Sequence, residues 1–154
     1  MATETAAIHR TAPHGDVRIG LFIPGYVDML FPEVGTVTLE LLEWLGFESG
    51  YPLEQTCCGQ PMSNSGDEAN AAAAERLFVQ NFKDFECIVG PAGSCVKQVR
   101  HHFDTIEQTD AVQHVRQHTY ELVEFLHDIV KVCDFPWAEF PHSVGLHNSC
   151  SSIE

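Results

Sequence analysis

Two adjacent cysteines followed by a glycine, Cys57-Cys58-Gly59, are the residues of this chain best suited to chemistry. Neighbouring α-carbons lie about 3.8 Å apart across a trans peptide, less than the roughly 4.4–6.8 Å of a disulfide, so the pair is badly placed to bond to itself. It is well placed to direct two thiolates at one shared metal ion or cluster. Gly59 has no β-carbon, so the backbone can turn sharply there and a bulky inorganic group can approach. A third thiol, Cys95, follows the turn Pro91-Ala92-Gly93-Ser94. In the first turn of a helix its pKa would be lowered by the partial positive charge of the helix end. Pro61 can open a short helix just after the pair, with the same effect. Thiolates of this kind hold iron–sulfur clusters or tetrahedral zinc.

The elements that must position these thiols read as alternating strands and helices. Val17–Ile23 is an apolar, β-branched run that ends at Pro24-Gly25, a strand followed by a turn. Apolar residues from Val34 to Leu45 fall at helical spacing, and Gly46 stops that helix. Tyr51-Pro52-Leu53 ends a second short strand, with the cysteine pair in the loop after it. Asn64 or Ser65 caps a helix running through Ala71–Ala74 to Phe82. Cys87–Gly90 is a third strand, and Ser94 caps a helix that starts at Cys95. Val112, Val115, Leu122, Phe125, Leu126 and Ile129 fit one further helix, and Val144–His147 opens a fourth strand. This order predicts an α/β fold, a small mainly parallel sheet flanked by helices. Sites in such sheets gather beyond the carboxyl ends of the strands, so the turns holding Gly25, Cys57-Cys58 and Cys95 should converge on one rim.

Composition narrows the function. The chain has 154 residues, enough for one domain with a real core, and is 44% hydrophobic with ten Phe. Its formal charge of -14, from 22 acidic and 8 basic residues, argues against nucleic-acid binding and against an anionic membrane surface. No stretch approaches the roughly 20 apolar residues of a membrane span. Residues 1–16 lack an apolar signal core and read as a polar, flexible lead-in. Six cysteines in a chain of this kind suggest metal or redox work in a reducing cytoplasm rather than disulfides.

Cys57-Cys58-Gly59-Gln60-Pro61, Gly90-Pro91-Ala92-Gly93-Ser94-Cys95 and His147-Asn148-Ser149-Cys150 together resemble the cysteine-rich CCG domain. That domain occurs in heterodisulfide reductase, in the iron–sulfur subunit of glycolate oxidase and in lactate-utilisation proteins of type A, and the likeness is strongest to the last. It covers roughly residues 17 to 150. The resemblance implies a Rossmann-like module that is normally duplicated, here a first module over 17–141 and the start of a second over 142–154. It implies an iron–sulfur cluster, of the [4Fe-4S] type, held by Cys57, Cys58 and Cys95, with Cys150 as the opening cysteine of the second module. It implies electron transfer within an oxidoreductase that converts L-lactate or another 2-hydroxy acid to the 2-oxo acid. The implied partners are other subunits of that system and a missing C-terminal CCG half.

The sequence departs from the family pattern at two places. Ala92 stands where the family has the first cysteine of C-x-x-C. Gly25 stands where it has its leading cysteine, with 31 residues between Gly25 and Cys57, within the family's range. Glycine offers no side-chain ligand, so zinc binding or a cluster-free docking module is the alternative. A thiol redox enzyme ranks third, because C-x-x-C is absent. Cys87 and Cys133 read as core thiols. His101, His102, His114, His118 and His127 show no metal-ligand spacing and read as a solvated face.

Overall fold

The computed structural model describes residues 17–132, 134, 135 and 137–146. The expected lead-in 1–16, the thiol of Cys133, and His147 to Cys150 lie outside the described residues. Four strands form one sheet: β1 (Arg18–Leu21), β2 (Glu48–Gly50), β3 (Cys87–Gly90) and β4 (Thr119–Glu121). Their spatial order is β2-β1-β3-β4, and every pairing is parallel. Parallel neighbours need crossovers, and helices supply them. Between β1 and β2 lie α1 (Gly25–Leu30) and α2 (Pro32–Trp44). Between β2 and β3 lie α3 (Gln60–Ser65) and α4 (Glu68–Phe82), and between β3 and β4 lie α5 (Gly93–His102) and α6 (Asp110–His118). After β4 come the single turn α7 (Leu122–Glu124) and a π-helical turn over Phe125–Ile129. The sheet is the α/β, parallel arrangement the alternating pattern predicts.

The core explains the strand sequences. Ile19, Leu21, Ile88 and Val89 are buried in the two central strands, as expected for a sheet covered on both faces. With right-handed crossovers, α2 covers one face while α4, α5 and α6 share the other, and α6 packs on both α4 and α5. On the α4 side Phe22 meets Phe78 and Phe82 edge-on, with centroids 5.0 and 5.9 Å apart, and Phe78 meets Phe103 at 5.4 Å. On the α2 side Phe47 packs on Phe125 at 5.5 Å. Gly20 is required where α4 closes on the sheet, because a β-carbon there would lie 2.8 Å from the Phe82 ring.

Several boundaries differ from the sequence expectation. The second strand is Glu48–Gly50, just ahead of Tyr51. The cap of α4 is Asp67, whose carboxylate accepts from the Asn70 amide, while Asn64 and Ser65 belong to α3. The α5 helix opens at Gly93 with Ala92 as its extended cap, so Ser94 is inside it rather than capping it. The long helix expected over 112–129 is split by β4. Thr119–Glu121 is drawn into the sheet beside Ile88, Val89 and Gly90, a tertiary pairing that overrides the local helical spacing. The fourth strand is therefore β4, and Val144–Leu146 is exposed and without regular structure.

Candidate metal centre

The carboxyl end of the sheet is built from three turns. After β1 the chain runs through Phe22 and Ile23 to Pro24, where α1 begins. The Phe22 amide still donates to the Val89 carbonyl at 2.9 Å, so β1 and β3 stay joined to the rim. Gly90 ends β3 there, and a β-carbon on it would lie 2.9 Å from the Phe22 carbonyl oxygen. The loop after β2 is tied to β1 by Gln55. The Ile23 amide donates to Gln55 Oε1 at 2.9 Å, and Gln55 Nε2 donates to the Leu21 carbonyl at 3.1 Å. One side chain thus continues the hydrogen bonding that a strand would provide, two residues ahead of the cysteine pair.

Gly59 then turns the chain into α3 with φ of +82°, a left-handed conformation that glycine adopts without strain. Its missing β-carbon also admits α4, since a β-carbon would meet Ala74 Cβ at 3.3 Å and the Ala71 carbonyl at 3.5 Å. Gly59 is therefore needed both for the turn and for the close packing of α4. Pro61 does sit in the first turn of a short helix, as expected.

Cys57, Cys58 and Cys95 meet on this rim as free thiols. The Sγ atoms of Cys57 and Cys58 are 3.9 Å apart, and Cys95 is near enough to Cys58 for each to alter the other's acidity. Cys58 and Cys95 are buried, while Cys57 is half-buried. The three thiols lie close enough to influence one another, and they differ in acidity. The bond to Cys58, followed by burial and the charge of Cys58, pushes the Cys57 thiol far up. The bond from Cys57 pulls Cys58 down, but the neighbouring Cys95 thiol, burial and the Cys95 charge outweigh that and push it up to about 11. Cys95 is lowered, first by the Cys58 thiol and also by Ser94, against burial. Helix ends were expected to favour the thiolate at both places. Only Cys95 follows that direction, and the neighbouring Cys58 thiol is the main cause.

At Tyr26, the second residue of α1, burial and then the charges of Cys95 and Cys58 raise the hydroxyl pKa. Beside it, Gly25 faces open space, with no atom within 4 Å of where a β-carbon would stand. A side chain at this position would fit, and none is present. Soft thiolate donors suit iron–sulfur clusters or zinc. In number the set is short: clusters of this kind take four cysteines, and among the described residues this rim offers three. Among the described residues, no group of three or more His, Cys, Asp or Glu side chains is arranged to hold a metal ion. The donors fit the chemistry of a thiolate-bound metal centre, and the set is incomplete without a further ligand.

The remaining candidates separate cleanly. Cys87 lies in β3, away from the row, with its thiol raised by burial and then by Glu86. Asp28 is exposed and raises the Tyr51 hydroxyl after burial does, and both residues border a cavity of about 310 Å³ behind α1 and α2. Among the described residues the histidines do not gather around a site. His114 and His118 stack at 4.3 Å, yet each binds a carbonyl: His114 Nε2 that of Phe85, and His118 Nδ1 that of His114. This tie to the α4–β3 turn makes His114 structural rather than part of a solvated face. Gln55 is the residue sequence reasoning missed, and a single glutamine in a loop carries no signal that would have revealed it.

A parallel α/β sheet with a row of cysteines on its carboxyl rim defines a thiol-bearing, cysteine-rich domain. The model of the CCG cysteine-rich domain matches residues 19–100, and the chain belongs to that family. It is 42% identical over 139 residues to lactate utilization protein A of an Exiguobacterium species, covering 86% of this chain and 56% of that protein. It is 37% identical over 139 residues to lactate utilization protein A of Bacillus cytotoxicus, covering 87% of this chain and 57% of the relative. A lactate utilization protein A 2 of Bacillus mycoides is similar to the same degree, 37% over 139 residues. The chain thus spans just over half the length of the curated relatives it matches. No solved structure matches it. Among the described residues no helix is long and apolar enough to cross a membrane.

Proposed function

We propose that this chain is an iron–sulfur-binding, electron-transfer part of an oxidoreductase in which Cys57, Cys58 and Cys95 are cluster ligands. The observation that carries this reading is the convergence of Cys57, Cys58 and Cys95 on one rim, with the Cys57 and Cys58 Sγ atoms 3.9 Å apart. When bound, a [4Fe-4S] centre supplies one-electron transfer. The chain's own residues hold and shield it. Gln55 fixes the loop that presents Cys57 and Cys58, the α5 turn presents Cys95, and burial of Cys58 and Cys95 keeps water from two of the donors. Because Cys57 and Cys58 hold their protons strongly, loading must release protons and is favoured by rising pH. The fourth ligand comes from Cys150 or from another polypeptide. The relatives' names point to lactate as the compound used, with oxidation of L-lactate to pyruvate the fitting reaction, other lactate-utilisation subunits the fitting partners, and the cytoplasm the fitting compartment.

The test is anaerobic reconstitution with iron and sulfide, in the unaltered chain and in Gly25→Cys, Cys58→Ser and Cys87→Ala. The open space at Gly25 predicts that Gly25→Cys raises bound iron and sulfide and slows their loss in air. Cys58→Ser should abolish loading and Cys87→Ala should retain it. If neither the unaltered chain nor Gly25→Cys takes up iron and sulfide, the reading fails. The incomplete donor set favours a second reading, a zinc-binding or cluster-free docking module. Stoichiometric zinc without sulfide would establish its zinc form.

A further inference from the structure

We propose that the outer face of α1 and α2 is the docking surface for the polypeptide that makes up the remaining length of the relatives. It rests on the reading of the rim as a metal site that needs a further ligand. Met29, Leu30 and Phe31 are consecutive and exposed by 78%, 64% and 51%. Tyr26, Val34 and Val37 extend the exposed apolar face along both helices. The buried residues of the two helices are others. Val27 anchors α1, and Gly35, Thr38 and Leu42 form the inner face of α2. A contiguous apolar surface of this kind marks an interaction site, whereas scattered exposed apolar residues do not. Exposed Asp28 and Glu33 border it, as a polar rim borders an interface core.

Two observations identify the occupant. The matched relatives leave more than two fifths of their length uncovered by this chain, which is enough polypeptide for another folded unit. The apolar face begins at Gly25, the open position, and at Tyr26, whose hydroxyl feels the charges of Cys95 and Cys58. A partner seated on α1 and α2 therefore borders the rim and can place a cysteine donor there. A second copy fits less well, because two chains each carrying a formal charge of -14 repel.

The test is oxidative footprinting of Met29 in the chain without metal. It is compared alone and with the unmatched part of the Exiguobacterium relative, supplied in trans or joined in the relative's own order. Met29 oxidation should slow roughly tenfold, in step with a fall from 78% exposure to that of a core side chain. Leu30→Glu should remove the protection while the circular dichroism and melting of the chain alone stay unchanged. Undiminished Met29 oxidation with both arms present overturns the proposal. So does concentration-dependent protection in the chain alone with a doubled mass by light scattering, which would make the face a homodimer interface. Iron uptake is measured separately. Protection without iron loading leaves the docking surface standing and removes the cluster, and loading without protection does the reverse.

Discussion

Replacing Gln55 by leucine tests whether one side chain holds the cysteine loop to the sheet. The change removes two hydrogen bonds, from the Ile23 amide and to the Leu21 carbonyl. Each is worth about 0.5–1.5 kcal/mol net, and a buried group left without a partner costs about 1–3 kcal/mol. Ile23 and Leu21 are buried, so water replaces the lost partners poorly. Gln55 itself is only part-buried, which brings the expected loss to about 2–4 kcal/mol. For a chain of this size that lowers Tm by about 5–15 °C. Urea unfolding should show a lower midpoint with an unchanged slope, since the surface exposed on unfolding is the same. The half-buried Cys57 should also react faster with a maleimide, because the loop that presents it is released. Gln55→Glu keeps an acceptor for the Ile23 amide but turns a carboxylate towards the Leu21 carbonyl, so it should regain stability as acid protonates it. A Gln55→Leu loss below about 0.5 kcal/mol, the scale of an ordinary surface substitution, would refute the argument. So would a large loss with unchanged Cys57 labelling.

Two further substitutions probe the scaffold. Glu75 is fully buried, accepts one hydrogen bond from the Thr105 amide at 3.3 Å and leaves Oε1 without a partner, and burial raises its pKa above the ordinary 4.5. Its raised folded pKa gives a stabilisation fully present below the unfolded value and lost as pH rises through the folded value. Glu75→Gln mimics the protonated form and should flatten the dependence of the urea midpoint on pH above the ordinary carboxylate range, with a gain of about 1 kcal/mol where the carboxyl is ionised. Gly90→Ala sets a β-carbon 2.9 Å from the Phe22 carbonyl oxygen, a backbone atom that cannot swing aside. It should cost about 1–3 kcal/mol by thermal melting, and more than the same change at Gly25, where the space is open.

The parts of the fold legible in the sequence are those set by local pattern. The apolar runs of β1 and β3 and the spacing of α2 gave elements within a few residues of their places. The three cysteines fell on one rim because strand–helix alternation dictates where loops emerge. What was not legible depends on contacts between distant segments. The apolar spacing from Val112 to Ile129 continues through Thr119-Tyr120-Glu121, and only pairing with β3 shows that those three residues are extended. The six-residue α1 has only Val27 buried, so it carries no amphipathic signature. Thiol acidity was read from helix ends, yet the mutual influence of Cys57, Cys58 and Cys95 dominates it, and that arises only after folding.

The two outer strands have a consequence for how this protein can join others. β2 and β4 contain three residues each and, among the described residues, neither has a strand on its outer side. A strip that short offers an incoming chain too few main-chain groups to zip onto, and Glu48 and Glu121 add a carboxylate to each border. Lateral extension of the sheet, and with it fibre-like stacking of copies, is disfavoured at both margins. Recognition is left to side chains projecting from helices, which can be matched to one partner more selectively than a bare backbone can.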